Sequence, residues 1–210
     1  MDRQKNKYYY LKGIKNGMPI CLGYLAVSFT LGITARNAGM TAWQAMLTSL
    51  ACNASAGQYA GFTVIAAGGT YFEMVLMELV ANARYLLMSC SLSQKFSSET
   101  GLLHRLLVGF DVTDEIFGVA VSEPGKLNPF YNYGMMTVAI PGWSLGTFFG
   151  VIMGNILPAN IVSALSVGLY GMFLAIIIPP ARKNKVIAAL VTISMVSSYI
   201  FSRLPVISDL

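Results

Sequence analysis

The sequence predicts an all-α integral membrane protein of about seven transmembrane segments, and three observations carry that prediction. Of its 210 residues 55% are hydrophobic and only 11% charged, against ~25% charged in a typical soluble domain. No Asp, Glu, Lys or Arg occurs from Asn37 to Phe72, from Leu127 to Ala181, or from Val186 to Ser202. A spanning helix needs ~20 mostly apolar residues, so these stretches alone hold several spans. The basic residues collect at the ends of apolar runs, so the net charge of +5 reads as membrane topology and not as nucleic-acid binding.

The elements follow in order as one transmembrane domain, residues 1–210. Residues 1–16 form a tail with five basic side chains, Arg3, Lys5, Lys7, Lys12 and Lys15. The apolar run behind it contains Gly, Pro, Ser and Thr and leads into further spans, which reads as a retained first helix and not a cleaved signal. Spans are predicted at Gly17–Ala35, Met40–Ala67, Thr70–Leu92, Arg105–Val121, Phe130–Met153, Pro158–Ile178 and Lys185–Ser202. Turn-like stretches separate them, among them "RNAG", "GG", "SQKFSSETG", "SEPGKLNP" and "PPARKNK". If all seven cross and the N-terminus is cytoplasmic, nine basic residues lie inside: the tail, Lys126, Arg182, Lys183 and Lys185. Arg36, Lys95, Arg105 and Arg203 then lie outside; if the second segment dipped in and returned, the cluster Arg182–Lys185 would land outside instead, so the seven-span arrangement is favoured.

Two spans are unusual. As one helix Met40–Ala67 would be about 42 Å long, beyond the ~30 Å hydrocarbon core. Its middle, "ACNASAGQYAG", is small and polar, so it reads either as a tilted helix or as one broken near Asn53–Gly57. Gly146, Gly150 and Gly154 recur every four residues, the spacing of a close helix–helix contact. The prolines of "PICLG" (Pro19–Gly23) and "PGWSLG" (Pro141–Gly146) open similar runs, a weak hint of a three-helix internal repeat.

Polar groups inside these spans are the functional candidates. Read as a helix, "FDVTDEIFG" puts Asp111, Asp114 and Glu115 on one face. Three carboxylates so close repel one another, so at least one is expected to hold a proton part of the time. That suits proton coupling or pairing with a substrate ammonium. Asp114 or Glu115 is expected to be buried and Asp111 nearer water. In the third span Glu78, Asn82, Tyr85 and Ser89 form a stripe, and Arg84 needs a carboxylate, for which Asp114 and Glu115 are the candidates. Arg84 or Asn82 could equally bind a substrate carboxylate. Gln44, Thr48, Ser55 and Gln58 share a face of the second span, and Gln58 beside Gly57 suits a small zwitterion. Cys21, Cys52 and Cys90 have no CxxC spacing and His104 stands alone, so neither metal nor cofactor is indicated.

"ASAGQYAG" (Ala54–Gly61), "VANARYLLMSCSL" (Val80–Leu92) and "FDVTDEIFGVAV" (Phe110–Val121) together resemble the AzlC family of branched-chain amino acid exporters. Family members carry AGASQF-like, NLRHLLYG and LTDE stretches in this order. Here Ala83 and Tyr85 replace the usual Leu and His, Gly57 replaces the Ser before Gln58, and the chain is short for the family. The resemblance implies a multi-pass permease of the cytoplasmic (inner) membrane. It would work with a small AzlD-type subunit, with homo-oligomers also open. Asn82, Arg84, Asp114 and Glu115 carry over by motif position, and Gln58 less closely. The alternatives are an ion or water channel, a non-transporting scaffold and, least favoured, an intramembrane carboxylate enzyme, for which GxGD, GxSG and HExxH are all missing.

Overall fold

The computed structural model describes residues 3–154 and 181–201, with single positions at 156, 160, 174, 177 and 178. Among them the regular structure is helical: α1 Arg3–Asn37, α2 Ala42–Ala51, α3 Ser55–Ala66, α4 Tyr71–Lys95, α5 Leu102–Gly109, α6 Asp114–Ser122, α7 Pro129–Met153 and α8 Lys185–Phe201. Three of these, α1, α4 and α7, are long and apolar enough to cross a membrane. The sixth predicted span, Pro158–Ile178, falls outside the described residues apart from isolated positions. The chain divides into two units at Met172/Phe173, the second represented by the apolar helix α8, which Asn184 starts by accepting from the Val186 amide at 2.9 Å.

Helices α1 and α7 pack along a seam of small residues. A Cβ on Gly32 would lie 2.7 Å from the Gly150 Cα, and one on Gly134 would lie 2.9 Å from the Gly13 Cα. Residue numbers rise together along both helices, from Gly13/Gly134 to Gly32/Gly150, so the two run parallel. Without side chains at these points the backbones come close enough for dispersion along their length. The core of unit 1 grows from this pair: Ile20, Tyr24 and Leu31 of α1 and Tyr131, Met135, Ala139 and Trp143 of α7 are buried.

The second predicted span is broken. Thr41 and Gln44 form a reciprocal cap that starts α2, which ends at Cys52; Asn53 and Ala54 are extended or irregular, and α3 begins at Ser55. The fourth span requires a correction. "FDVTDEIFG" is not one helix: α5 stops at Gly109 and α6 starts at Asp114, with Thr113 as its N-cap, accepting from the Ile116 amide at 3.4 Å. Asp111 therefore lies in the break, while Asp114 and Glu115 occupy the first turn of α6, where negative charge complements the helix dipole.

Both broken segments double back. Helix α2 starts beside the C-terminal ends of α1 and α7, with Trp43 against Phe148 and the nearby Arg36 donating to the Val151 carbonyl at 3.0 Å. Helix α3 then runs antiparallel to α4, Gly57 facing Asn82 and Gly61 facing Glu78 and Met74. Helix α5 starts at the opposite end, where Arg105 donates to the Ser93, Ser97 and Thr100 carbonyls and His104 meets Tyr133. Helix α6 returns to that same end: Glu123, just past it, pairs with Lys12 at 2.5 Å, and Lys95 donates to the Glu123 carbonyl at 2.5 Å.

Substituting Gly150 by Ala should force the α1–α7 seam apart, costing about 1–3 kcal/mol as overpacking does. Gly101, whose added Cβ would meet nothing within 4 Å, is the matched control. Thermal unfolding in detergent should show a clear loss for Gly150→Ala and none for Gly101→Ala.

Candidate functional site

The two breaks meet. Asn53, between α2 and α3, donates its side-chain amide to Asp111 Oδ1, between α5 and α6. Asp111 is 1% exposed, the most buried of the three acids. This reverses the expectation that it lies nearer water, and the reason is the break: as a helix residue it would share a face with Asp114, whereas at a turn it points into the neighbouring tip. Asn53 Oδ1 and Asp111 Oδ2 are both buried and without a hydrogen-bond partner among the described residues.

The other two acids have their own partners. Asp114 Oδ2 forms an ion pair with Arg84 at 3.0 Å, half-exposed on the arginine side. Arg84 also lies over the Tyr85 ring, 5.3 Å from its centroid. Glu115 accepts from the Tyr24 hydroxyl at 2.7 Å, and that hydroxyl lies 2.5 Å from Thr113 Oγ1. Tyr24 in turn stacks edge-on against Trp143. The three carboxylates thus face three different groups and do not share one.

The residues predicted from the second span separate. Gln44 caps α2 and is exposed near its start, and Thr48 bonds its own helix at the Gln44 carbonyl. Gln58 is buried at 1% exposure, and both ends of its amide are engaged: Nε2 donates to Ser49, and Oε1 accepts from Trp143 Nε1 at 2.8 Å. Ser49 continues to Thr147 at 2.7 Å. This chain ties α3 to α2 and α7. Ser55 and Gly57 lie in the first turn of α3. Its N-cap, Ala54, offers no side-chain acceptor, so the Ser55, Ala56 and Gly57 amides lack intrahelical partners. On α4, Glu78 Oε2 accepts from Asn82 at 2.6 Å, and both sit against Gly57; Asn82 Oδ1 is buried and without a hydrogen-bond partner among the described residues.

Between the tips lies a cleft of about 190 Å³, bounded by Cys52, Asn53 and Ala54 from one hairpin, Phe110, Val112 and Thr113 from the other, and Asn82 and Tyr85 of α4. At ~30 Å³ per water it holds roughly six waters, the scale of one small amino acid. A narrower crevice shares Asn53, Tyr85 and Thr113 and reaches Ser55, Asp114, Glu115, Tyr24 and Trp143. Of the predicted residues, Asn82 lines the cleft and Ser55, Asp114 and Glu115 line the adjoining crevice, whereas Gln58 lines neither. No group of three His, Cys, Asp or Glu able to hold a metal occurs among the described residues.

A family model for the AzlC protein matches residues 19–157, which includes both broken segments and everything that surrounds the cleft. The chain belongs to the AzlC family. It is 30% identical over 182 residues to a membrane protein of Archaeoglobus fulgidus described as uncharacterized, covering 86% of this chain and 80% of that one. To the inner membrane protein YgaZ of Escherichia coli it is 26% identical over 150 residues, 70% of this chain and 61% of YgaZ. A membrane protein of Helicobacter pylori is 25% identical over 153 residues, covering 70% of this chain and 66% of its own length. No solved structure matches the chain. Its AzlC-family membership, its apolar helices and its membrane-protein relatives make it a multi-pass membrane protein.

Sequence reasoning missed Asn53, Tyr24 and Trp143 as parts of this centre. Asn53 carried a signal, as a carboxamide sharing the small-residue stretch with Gln58; Tyr24 and Trp143 carried none, because an aromatic in an apolar span reads as core or lipid contact. The Arg84–Asp114 pair yields a direct test. Arg84→Leu and Asp114→Leu should each lower thermal stability, and the double variant should recover part of the loss. The expected coupling is about 0.5–3 kcal/mol, read as a double-mutant cycle in detergent.

Proposed function

We propose that the chain is a secondary transporter, an exporter of branched-chain or similar small apolar amino acids. It is coupled to protons and works in the cytoplasmic membrane beside a small AzlD-type subunit. The observation that carries this reading is the cleft where two broken segments meet, walled by small and apolar groups with the uncharged polar side chains of Asn53, Asn82, Tyr85 and Thr113, and adjoined by a crevice that holds Asp114 and Glu115. Discontinuous helices are a recurrent way for transporters to expose backbone polarity at depth. A mainly apolar site with few orienting groups fits a hydrophobic zwitterion.

In this reading the substrate carboxylate lies at the uncapped start of α3, against the Ser55–Gly57 amides, with Asn82 and Arg84 at hand. Its ammonium turns to Asp114 and Glu115. The aliphatic side chain rests on Phe110, Val112 and the Tyr85 ring. Asp111, with one oxygen held by Asn53 and the other unpaired, carries the coupling proton, and Glu78 is a second candidate. Gln58 positions α3 through Ser49 and Trp143 and does not touch substrate. The partner subunit and the direction of transport rest on the family resemblance, and a homo-oligomer is compatible with both.

The test is flux of labelled leucine and valine in proteoliposomes under an imposed proton gradient, with and without the partner. Asp114→Asn with Glu115→Gln should lower flux at least about tenfold, which is ~1.4 kcal/mol. Unchanged flux in that double variant sinks the assignment. Saturation with substrate should separate a carrier from a channel.

A further inference from the structure

The two broken segments return to the ends from which they start, and the helices around them say which ends those are. One end gathers the start of α1, the end of α4, the start of α5, the end of α6 and the start of α7. Asn128 donates to Asn6 at 3.0 Å, the Leu127 amide donates to the Lys95 carbonyl at 2.9 Å, and Glu123 meets Lys12. The other end gathers the end of α1, the start of α2 and the end of α7, through Arg36 and Trp43. Helix α4 ends at the first end, and with 25 residues it is about 37 Å long, so it starts near the second. Helix α3, antiparallel to α4, is carried back to the second end.

We infer that α2–α3 and α5–α6 are re-entrant hairpins that enter the membrane from opposite faces and meet tip to tip near its middle, so that only α1, α4 and α7 cross within residues 3–154. Length agrees. The four hairpin helices have ten, twelve, eight and nine residues, each roughly half of a ~30 Å hydrocarbon core at ~1.5 Å per residue. Depth agrees as well. Tyr24, whose hydroxyl reaches Glu115, is midway along α1 between Lys12 and Arg36.

Charge supplies an independent argument. With hairpins that return, the basic residues of 3–154 outside the spans divide unevenly: Arg3, Lys5, Lys7, Lys12, Lys15, Lys95, Arg105 and Lys126 share one face, and Arg36 alone marks the other. If the second and fourth segments crossed instead, Lys95 and Arg105 would lie opposite the tail. The hairpin arrangement obeys the positive-inside rule far better, which makes the basic face cytoplasmic.

Single cysteines test this in a background where Cys21, Cys52 and Cys90 are serine, using an impermeant maleimide on intact cells and on inverted vesicles. Asn37→Cys and Ala67→Cys should react from outside only, and Ser98→Cys and Ser122→Cys from the cytoplasmic face only. All four positions are exposed, and labelling after detergent confirms that each thiol can react. Ala66, Glu99 and Pro124 serve as second positions where a variant does not accumulate. A split within either pair, or exchange of the two pairs between faces, overturns the inference. Labelling reads topology alone, so it stands or falls separately from leucine flux.

Discussion

An apolar medium leaves no water for a broken backbone, and this constraint governs the region around the cleft. Each interruption frees amides on one side and carbonyls on the other, and polar groups left unmatched there cost several kcal/mol each in hydrocarbon. Two interruptions brought together can satisfy part of each other. Asn53 reaching Asp111 is that contact, and the rest of unit 1 holds it in place. The glycine seam fixes α1 against α7, and α7 carries Trp143 and Thr147, which hold Gln58 and Ser49 and with them both arms of the first hairpin.

The same geometry explains how so apolar a chain accommodates three acids within five residues. On one continuous helix they would repel across a shared face. The break after Gly109 turns Asp111 one way, and the start of α6 turns Asp114 and Glu115 two others, toward Asn53, Arg84 and Tyr24 respectively. Each acid thereby gains a donor of a different kind: an amide, a guanidinium and a phenol. That diversity places an ion pair, a hydrogen-bonded carboxylate and a buried acid with an unpartnered oxygen within five residues.

Much of the architecture was legible in residue pattern. The long apolar runs mark α1, α4 and α7, α4 in spite of Glu78 and Arg84, because predominantly apolar sequence over some twenty residues has few other uses. The second break showed in "ACNASAG", where small and polar residues replace bulky apolar ones. The fourth did not, since "FDVTDEIFG" keeps helical spacing of its apolar residues. Its one local sign was Thr113 followed by two acids, the signature of a helix start. Whether a segment crosses or returns is set by contacts far apart in sequence, such as Lys12 with Glu123 and Asn128 with Asn6, which no local pattern encodes. Arg84 meeting Asp114 was foreseeable from charge alone, whereas Tyr24 with Glu115 depended on the packing of α1 against α6.

The claim on which the account turns is that substrate occupies the cleft between the hairpin tips. Cys52, half-buried on its wall, is a natural reporter. With Cys21 and Cys90 replaced by serine, the rate at which N-ethylmaleimide alkylates Cys52 should fall as leucine or valine is added, and should not respond to glutamate. An unchanged rate at leucine concentrations that saturate transport by the same protein would contradict it.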